Sequence, residues 1–318
     1  AKEIEFIGDK CNFCIQAEKS LEENKYLRLP KIDKCLIGLS GGVDSSYVLH
    51  KMIERGIRPL CFSLDNGLND PRADANVKRL VEKHGLTHIV QTIDKKKYSE
   101  LQSAFFKSGV PNIEIPTDHI LMALTYELAS KFGIKTVLSG GNTATESIMP
   151  ASWGYNGRDL VHIKDIYRRF TGKKLTGLPV CGLLKWNYYR WIKRINIIYP
   201  LDTMDYNRAE AIKILEKEYG YEDYGDKHCE SLFTKWFQNF YLFNKFGYDK
   251  RTAHYSSLIV SGQMTRKDAL ERLKETLEYP ELGIERRVMS YPKHSHYEYK
   301  NDEWLFNLIS KIIKWLRK

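Results

Sequence analysis

The sequence predicts an α/β fold: a parallel sheet with helices on both faces, a small cysteine-containing N-terminal segment and a mostly helical C-terminal region. Three observations carry that expectation. Short apolar runs alternate with helical patterns from Lys34 to about Ser139, a glycine- and serine-rich turn joins the first run to the first helix, and the last third is dominated by helical spacing. The runs are Cys35–Leu39, Pro59–Leu64, His88–Ile93 and Thr136–Leu138, with helices near Asp44–Arg55, Asp70–His84 and Thr117–Phe132. A chain of 318 residues suits one α/β domain with additions at both ends. The expected divisions are 1–33, 34–200 and 201–318.

Fifty Lys+Arg against forty Asp+Glu leave a net charge of +10, which favours polyanionic partners such as ATP, sugar nucleotides, nucleic acid or an anionic membrane surface. The 42% apolar and 12% aromatic content supports a sizeable core. No apolar run reaches the roughly 18 residues of a membrane span. No secretory signal is visible, and the chain starts at Ala1 rather than methionine. Six scattered cysteines with one close pair do not form a secreted disulfide framework, so a reducing, ATP-supplied cytoplasm is expected.

In chain order, the first segment holds Cys11-Asn12-Phe13-Cys14 and a polar helix-like stretch, Gln16 to Lys25. A C-x-x-C pair has the bite for zinc but supplies half of a tetrahedral site. Cys35 is a poor third ligand because its strand pattern buries it. His228 and Cys229 are distant ones, and two reduced thiols in a turn are the alternative.

The first apolar run leads into Leu39-Ser40-Gly41-Gly42-Val43-Asp44-Ser45-Ser46, and a helix with Val48, Met52 and Ile53 at helical spacing follows to Gly56. The glycines allow a tight turn and close backbone approach. The helix start offers unpaired N–H groups, and Ser40, Ser45 and Ser46 add hydroxyls, so the stretch can hold a phosphate chain. The Lys-Ser/Thr of a Walker loop is missing. Ligands of parallel sheets bind beyond the carboxyl ends of the strands, so Asp65-Asn66-Gly67 and Ser139-Gly140-Gly141-Asn142 are expected at the same edge. Asn-Gly and Gly-Gly pairs also make ordinary turns.

Between Thr143 and Pro200 the pattern turns irregular, aromatic and basic, with Trp153, Tyr155, Arg158, His162, Lys164, Arg168, Arg169, Lys173 and Lys174. Such stretches serve as lids or binding segments; a solvated basic face is the alternative for Lys173 and Lys174. Farther on, Asn207-x-x-Glu210 and Thr265-x-x-Asp268 have capping-box form, and Gly220 closes the first helix. Trp304 to Trp315 reads as an amphipathic helix with Leu305, Leu308, Ile309, Ile312 and Leu316 on one face, expected to pack on its own domain, with membrane-surface binding the alternative.

The Ser40-Gly41-Gly42-Val43-Asp44-Ser45 string resembles the pyrophosphate loop, or PP-loop, of the ATP pyrophosphatase superfamily (adenine nucleotide alpha hydrolase-like fold). That resemblance implies ATP cleavage between the α and β phosphates, adenylation of an acceptor oxygen and displacement of AMP by a nucleophile. It makes residues 34–200 the ATP pyrophosphatase domain. It also puts Ser40, Gly41, Gly42, Asp44, Ser45, Ser46, Asp65, Gly67, Gly140, Gly141 and Asn142 against the nucleotide, with Asp44 the best partner for Mg²⁺.

Two further stretches narrow the resemblance. Tyr224-Gly225-Asp226-Lys227-His228-Cys229-Glu230-Ser231 and Lys245-Phe246-Gly247-Tyr248-Asp249-Lys250-Arg251-Thr252-Ala253-His254-Tyr255-Ser256-Ser257, continuing through Ser261-Gly262-Gln263-Met264-Thr265-Arg266, mix charged and apolar residues in a way uncommon for plain core. Together they are similar to the N-acetyl sugar amidotransferase family of lipopolysaccharide O-antigen and nonulosonic-acid pathways, from Gly8 to about Leu273. Members carry another C-x-x-C upstream, absent here, and an aromatic residue where Cys229 stands.

The resemblance implies that an acetamido oxygen of an N-acetylated sugar, or sugar nucleotide, is adenylated and replaced by ammonia to give an acetamidino group. Lys245, Lys250 and Arg251 would stabilise pyrophosphate or acceptor anions, and His254 and His228 would contact the acetamido group or shuttle a proton. Residues 201–318 become a substrate- and partner-binding region. Cys181-Gly182 and Cys61 lack a glutaminase arrangement, so the implied ammonia source is a separate glutaminase with a barrel-shaped, ammonia-conducting subunit. A tRNA-thiolating PP-loop enzyme and a noncatalytic nucleotide-binding scaffold are the alternatives; Cys61 lies inside a strand pattern, which disfavours sulfur transfer and makes nucleic acid the less expected partner.

Overall fold

The computed structural model describes residues 3–225, 227 and 230–316. A short hairpin, β1 (Phe6–Ile7) and β2 (Lys10–Cys11), leads into α1 (Asn12–Asn24). The apolar runs then become β3 (Cys35–Gly38), β4 (Leu60–Asp65), β5 (His88–Thr92) and β6 (Thr136–Leu138). A fifth strand, β7 (Asn196–Ile198), completes one parallel sheet ordered β5-β4-β3-β6-β7.

The central run is continuously apolar because both of its faces are covered. Side chains alternate along a strand. Cys35 and Ile37 therefore pack with α2 (Val43–Glu54), α3 (Pro71–Lys83) and α9 (Arg208–Tyr219), while Leu36 packs with α5 (Ile115–Lys131) on the other face. Local signals set the helix ends. Asp70 accepts from the Arg72 amide with Pro71 at the first helical position, and Asn207 accepts from the Glu210 amide while Gly220 closes α9 in the left-handed region.

Two expectations change. Lys95–Ser108 forms a further helix, α4, in the stretch between β5 and α5. The stretch from Thr143 to Pro200 is ordered rather than irregular. It holds α6 (Thr143–Glu146), α7 (Leu160–Thr171), α8 (Leu183–Asn187), a π-helical turn (Tyr188–Ile192) and then β7. These pieces are short or broken by wide turns, so no clean 3.6- or 2-residue period survives in the sequence.

The C-terminal part comprises α10 (Leu232–Trp236), a π-helical segment (Phe237–Phe246), α11 (Lys250–Val260), α12 (Arg266–Arg272), α13 (Glu285–Ser290) and α14 (Glu303–Leu316). The hydrophobic core runs across residue 200. Leu201, Tyr206, Ala211 and Leu215 share a cluster with Val48 and Cys61, and Trp236, Tyr241 and Val288 share another with Phe105 and Ile163. On α14, Leu305 and Ile309 are half-buried, whereas Trp304, Leu308 and Ile312 form an exposed ridge; the packed face is narrower than the sequence pattern implies. Among the described residues, no helix is long and apolar enough to cross a membrane.

Candidate active site

The sheet grows outward from β3 through β4 to β5, then returns to the opposite side of β3 with β6. Loops leaving the carboxyl ends of β3 and β6 therefore meet at this switch point, where a parallel sheet places its ligand crevice. The first of these is Leu39–Gly42. Gly41 has φ +80°, and a Cβ there would lie 2.3 Å from the carbonyl oxygen of Ala73 on α3, so both conformation and space demand glycine. Gly42 is the N-cap of α2 and supplies no side-chain acceptor, so the first amides of α2 face the crevice without a protein cap. The Gly42 amide donates to Ser40 Oγ at 3.2 Å and Ser45 Oγ donates to the Gly42 carbonyl at 3.3 Å, which sets both hydroxyls at the loop.

The second loop presses against the first. A Cβ on Gly140 would stand 2.7 Å from the Ser45 amide nitrogen. Ser139 Oγ accepts from the Gly141 amide at 3.2 Å, and Asn142 caps α6 by accepting from the Thr145 amide at 2.9 Å. Around these loops lies a cleft of about 700 Å³. One end is an apolar slot walled by Gly38, Phe62, Leu121, Val137 and Ile197. Asn112, Glu114, Thr117 and Asp118 line another part of it, and Lys227, Glu230, Thr234, Gln238, Lys250 and His254 come from the C-terminal part.

The strongest electrostatic feature sits at the phosphate loop. Lys227 Nζ lies 2.7 Å from Asp44 Oδ2 and 2.9 Å from Glu146 Oε1, and it also reaches Thr145 Oγ1. Burial works against this ammonium, but the Asp44 and Glu146 carboxylates outweigh it and raise its pKa above the ordinary lysine value. The Tyr206 hydroxyl donates to the other Asp44 oxygen; burial, then the Asp44 charge, drive that phenol far above its usual range. Lys250 and His254 stand one turn apart on α11 and face the same cleft. Burial lowers the pKa of Lys250, with Glu114, Asp118 and Glu146 partly opposing, and its Nζ lies 3.0 Å from Met149 Sδ.

Residues 230–313 match the family model described as LPS biosynthesis protein WbpG-like, C-terminal domain. The C-terminal part of the chain is thus similar to an LPS-related family. A curated relative, the tRNA-specific 2-thiouridylase MnmA 2 of Fusobacterium nucleatum, is 28% identical over 120 residues, covering 36% of this chain and 35% of that protein. The chain thus spans about a third of that relative's length. Among solved structures, the NH3-dependent NAD synthetase from Campylobacter jejuni aligns with TM-score 0.36 at 12% identity, over 85% of this chain and 99% of that one. The glutamine-dependent NAD+ synthetase from Acinetobacter baumannii, solved with ADP, aligns with TM-score 0.31 at 20% identity, over 42% and 25%.

The residues singled out from the sequence fall into three groups. Ser40, Gly42, Asp44, Ser45, Gly140, Gly141, Lys250 and His254 line the cleft. Gly41, Ser46 and Asn142 are buried and shape the loops without lining it. The rest lie elsewhere. Asp65 accepts from the Gly67 amide at 2.8 Å and pairs with Lys95 at 3.4 Å; Asn66, between them, is the residue that lines the cleft. Lys245 is not in the cleft at all, because its buried Nζ donates to the Val288 and Tyr291 carbonyls at 2.8 and 2.9 Å. Arg251 is gripped by Asp249 at 2.8 Å and by the Glu275 carbonyl at 2.9 Å, beside the cleft rather than on its wall. His228 and Cys229 lie outside the described residues.

The WbpG-like signature thus divides between scaffold and site. Gln263 accepts from the Arg208 amide and donates to the Tyr206 carbonyl, both at 2.9 Å, so it braces the corner that carries Tyr206 to Asp44. Lys227, Glu146 and Tyr206 were not singled out as site residues. Lys227 sits inside one of the signature stretches, and its isolation from other cations there was its one available signal.

At the N-terminus, Cys11 caps α1 by accepting from the Cys14 amide at 3.4 Å, and the two sulfurs lie 3.3 Å apart. Burial pushes the Cys14 thiol up to about 11, with the Cys11 sulfur adding to it. No group of three or more His, Cys, Asp or Glu side chains able to hold a metal occurs among the described residues, so zinc finds no support beyond the pair itself.

Proposed function

We propose that this chain adenylates the acetamido oxygen of an N-acetylated sugar, carried on a nucleotide, and lets ammonia displace AMP to leave an acetamidino group. One observation carries the reading: Lys250 and His254 of the WbpG-like region face the phosphate loop across a single cleft. In that cleft the amides of α2 with the Ser40 and Ser45 hydroxyls suit the β and γ phosphates, and the Gly38–Phe62–Val137 slot suits a flat base. Mg²⁺ accompanying ATP would be held by Asp44 and Glu146, the carboxylates that Lys227 now bridges, and when bound it would neutralise phosphate charge.

The chemistry follows from leaving-group strength. An amide oxygen does not leave as such. Once its lone pair has formed a bond to the α phosphorus and pyrophosphate has departed, the carbon bears AMP, a good leaving group. Ammonia then forms the new C–N bond, AMP leaves with its oxygen, and one proton must be taken from the attacking nitrogen. His254, the imidazole that lines the cleft among the described residues, is assigned that proton, while Lys227 and Lys250 would offset charge on the phosphates. Residues 34–200 would supply the ATP half and 201–318 the acceptor half. A partner glutaminase and ammonia-conducting barrel would deliver the nitrogen in the cytoplasm.

The test is a mixture of ATP, ammonium and a panel of acetamido and diacetamido sugar nucleotides followed by mass spectrometry. The expected product is lighter by the difference between O and NH, with AMP and pyrophosphate appearing only when acceptor and ammonia are both present. Intact ATP with a full panel would overturn the reading.

The 2-thiouridylase likeness favours a second reading, sulfur transfer to tRNA. Burial, however, pushes the Cys61 thiol up to about 12 and the Cys35 and Cys181 thiols to about 11, which disarms them as sulfur carriers. A thiolated tRNA product would decide for it.

A further inference from the structure

A smaller annex of about 60 Å³ adjoins the cleft, and Lys227, Gln238, Lys250 and His254 line both. It lies among the π-helical segment, α11 and α12. Six of its lining residues are cationic, namely Arg208, Lys227, Lys235, Lys250, Arg251 and Arg272, and no described lining residue is Asp or Glu. The carboxylates that steady these cations stand outside it: Asp249 holds Arg251 at 2.8 Å, Asp223 lies 3.9 Å from Arg208, and Asp44 and Glu146 hold Lys227. Cations converging on one recess whose described lining carries no carboxylate repel each other, and an entering polyanion relieves that repulsion. Lys250 has the most to gain from an anion, since burial disfavours its charge and Glu114, Asp118 and Glu146 only partly oppose that.

The size narrows the ligand. At roughly 10–15 Å³ per water-sized group, the annex admits about four to six of them, room for one phosphate group with a second reaching into the adjoining cleft, and too little for a nucleoside. Gln238 and Asn239 add amide donors to the same wall.

We propose that this annex is a diphosphate-binding subsite distinct from the phosphate loop. Two sources share that chemistry: pyrophosphate departing from ATP, and the diphosphate of a nucleotide-linked acceptor. The assignment rests on the cleft being the place where ATP is split and, for the second source, on the amidine-forming reading.

The experiment is calorimetric titration of the full chain, its loop filled with α,β-methylene ATP, by inorganic pyrophosphate in one arm and by UDP-N-acetylglucosamine in the other. Lys235→Ala/Arg272→Ala is the variant, since both positions line the annex and not the cleft. At least one probe is expected to bind, and the variant is expected to weaken it by about tenfold or more while α,β-methylene ATP affinity stays within about twofold. Binding of pyrophosphate identifies the leaving group as the occupant; binding of UDP-N-acetylglucosamine alone identifies the acceptor. No binding in either arm, or binding that the variant leaves unchanged, overturns the proposal. A milder variant, Lys235→Gln, guards against misfolding, and the unsubstituted chain can fail the first arm unaided. Calorimetry needs no turnover, so a chain that binds diphosphate yet never aminates a sugar would refute the amidotransferase reading and leave the annex standing.

Discussion

The two walls of the cleft are built of different material. Along the sheet edge, Gly41, Gly42, Gly140 and the first amides of α2 form a surface of backbone, where position is set by what a Cβ cannot enter. On the facing side, Lys227, Lys250 and His254 form a surface of charged side chains, where position is set by ion pairs and burial. A backbone wall offers the same donors whatever the pH, and it tolerates no added bulk. A side-chain wall tolerates bulk better and fails when charge is lost.

Substitutions can break or sharpen that contrast. The largest effect is expected at Lys227→Ala, which removes the ammonium that bridges the partly buried Asp44 and Glu146. It should cost about 2–3 kcal/mol of unfolding free energy in a urea titration and abolish ATP cleavage. A loss below about 1 kcal/mol would mean that the clasp is an ordinary surface contact.

Next comes acid. His162 Nε2 lies 3.1 Å from His296 Nδ1, and His296 Nε2 accepts from the amide of Asn112, a cleft residue, so this pair fastens the WbpG-like region to α7. Burial holds His162 down to about 4, against the Asp159 and Asp165 charges, and His296 falls well below its usual value. The folded state therefore prefers neutral rings. The unfolded chain takes up protons first, so the contribution is complete above about pH 6.5 and is lost as pH falls towards 4, worth about 3 kcal/mol for His162. Melting curves at pH 7.5 and 5 check it, and His162→Phe should flatten the dependence.

On the backbone wall, Gly41→Ala forces a Cβ onto Ala73 at a positive φ and should cost about 1–3 kcal/mol. Gly140→Ala drives a Cβ to 2.7 Å from the Ser45 amide nitrogen and should separate the two loops, costing about 1 kcal/mol of stability and raising the KM for ATP about tenfold. The smallest effect belongs far from both walls. Cys11→Ala removes the N-cap acceptor of α1 and should cost about 1 kcal/mol, with unchanged ATP turnover in a pyrophosphate-release assay.

The same contrast explains what was legible in the sequence. Glycine and serine between an apolar run and a helix announce a backbone site, because few other residues suit that turn, and the parallel sheet follows from the alternation around it. The charged wall was far less legible. Lys245, Lys250 and Arg251 look equivalent on paper. Yet Lys245 is consumed by two carbonyls and Arg251 by Asp249, and only Lys250 reaches the cleft. Lys227 needed knowledge of where Asp44 and Glu146 meet, a contact spanning more than 80 residues that no local pattern encodes. Strand β7, three residues long, carries too little period to stand out.

Lys227 would also govern how the site takes up a nucleotide under the proposed function. By bridging Asp44 and Glu146 it acts as a tethered counter-ion that offsets the two carboxylates beside the loop. Under the proposed function, a metal-bearing triphosphate entering here would exchange one positive group for another, and the displaced ammonium would stay close to the arriving phosphate charge. Affinity for ATP would then report the difference between those two partnerships, and a lysine held too weakly or too tightly would compromise one of them.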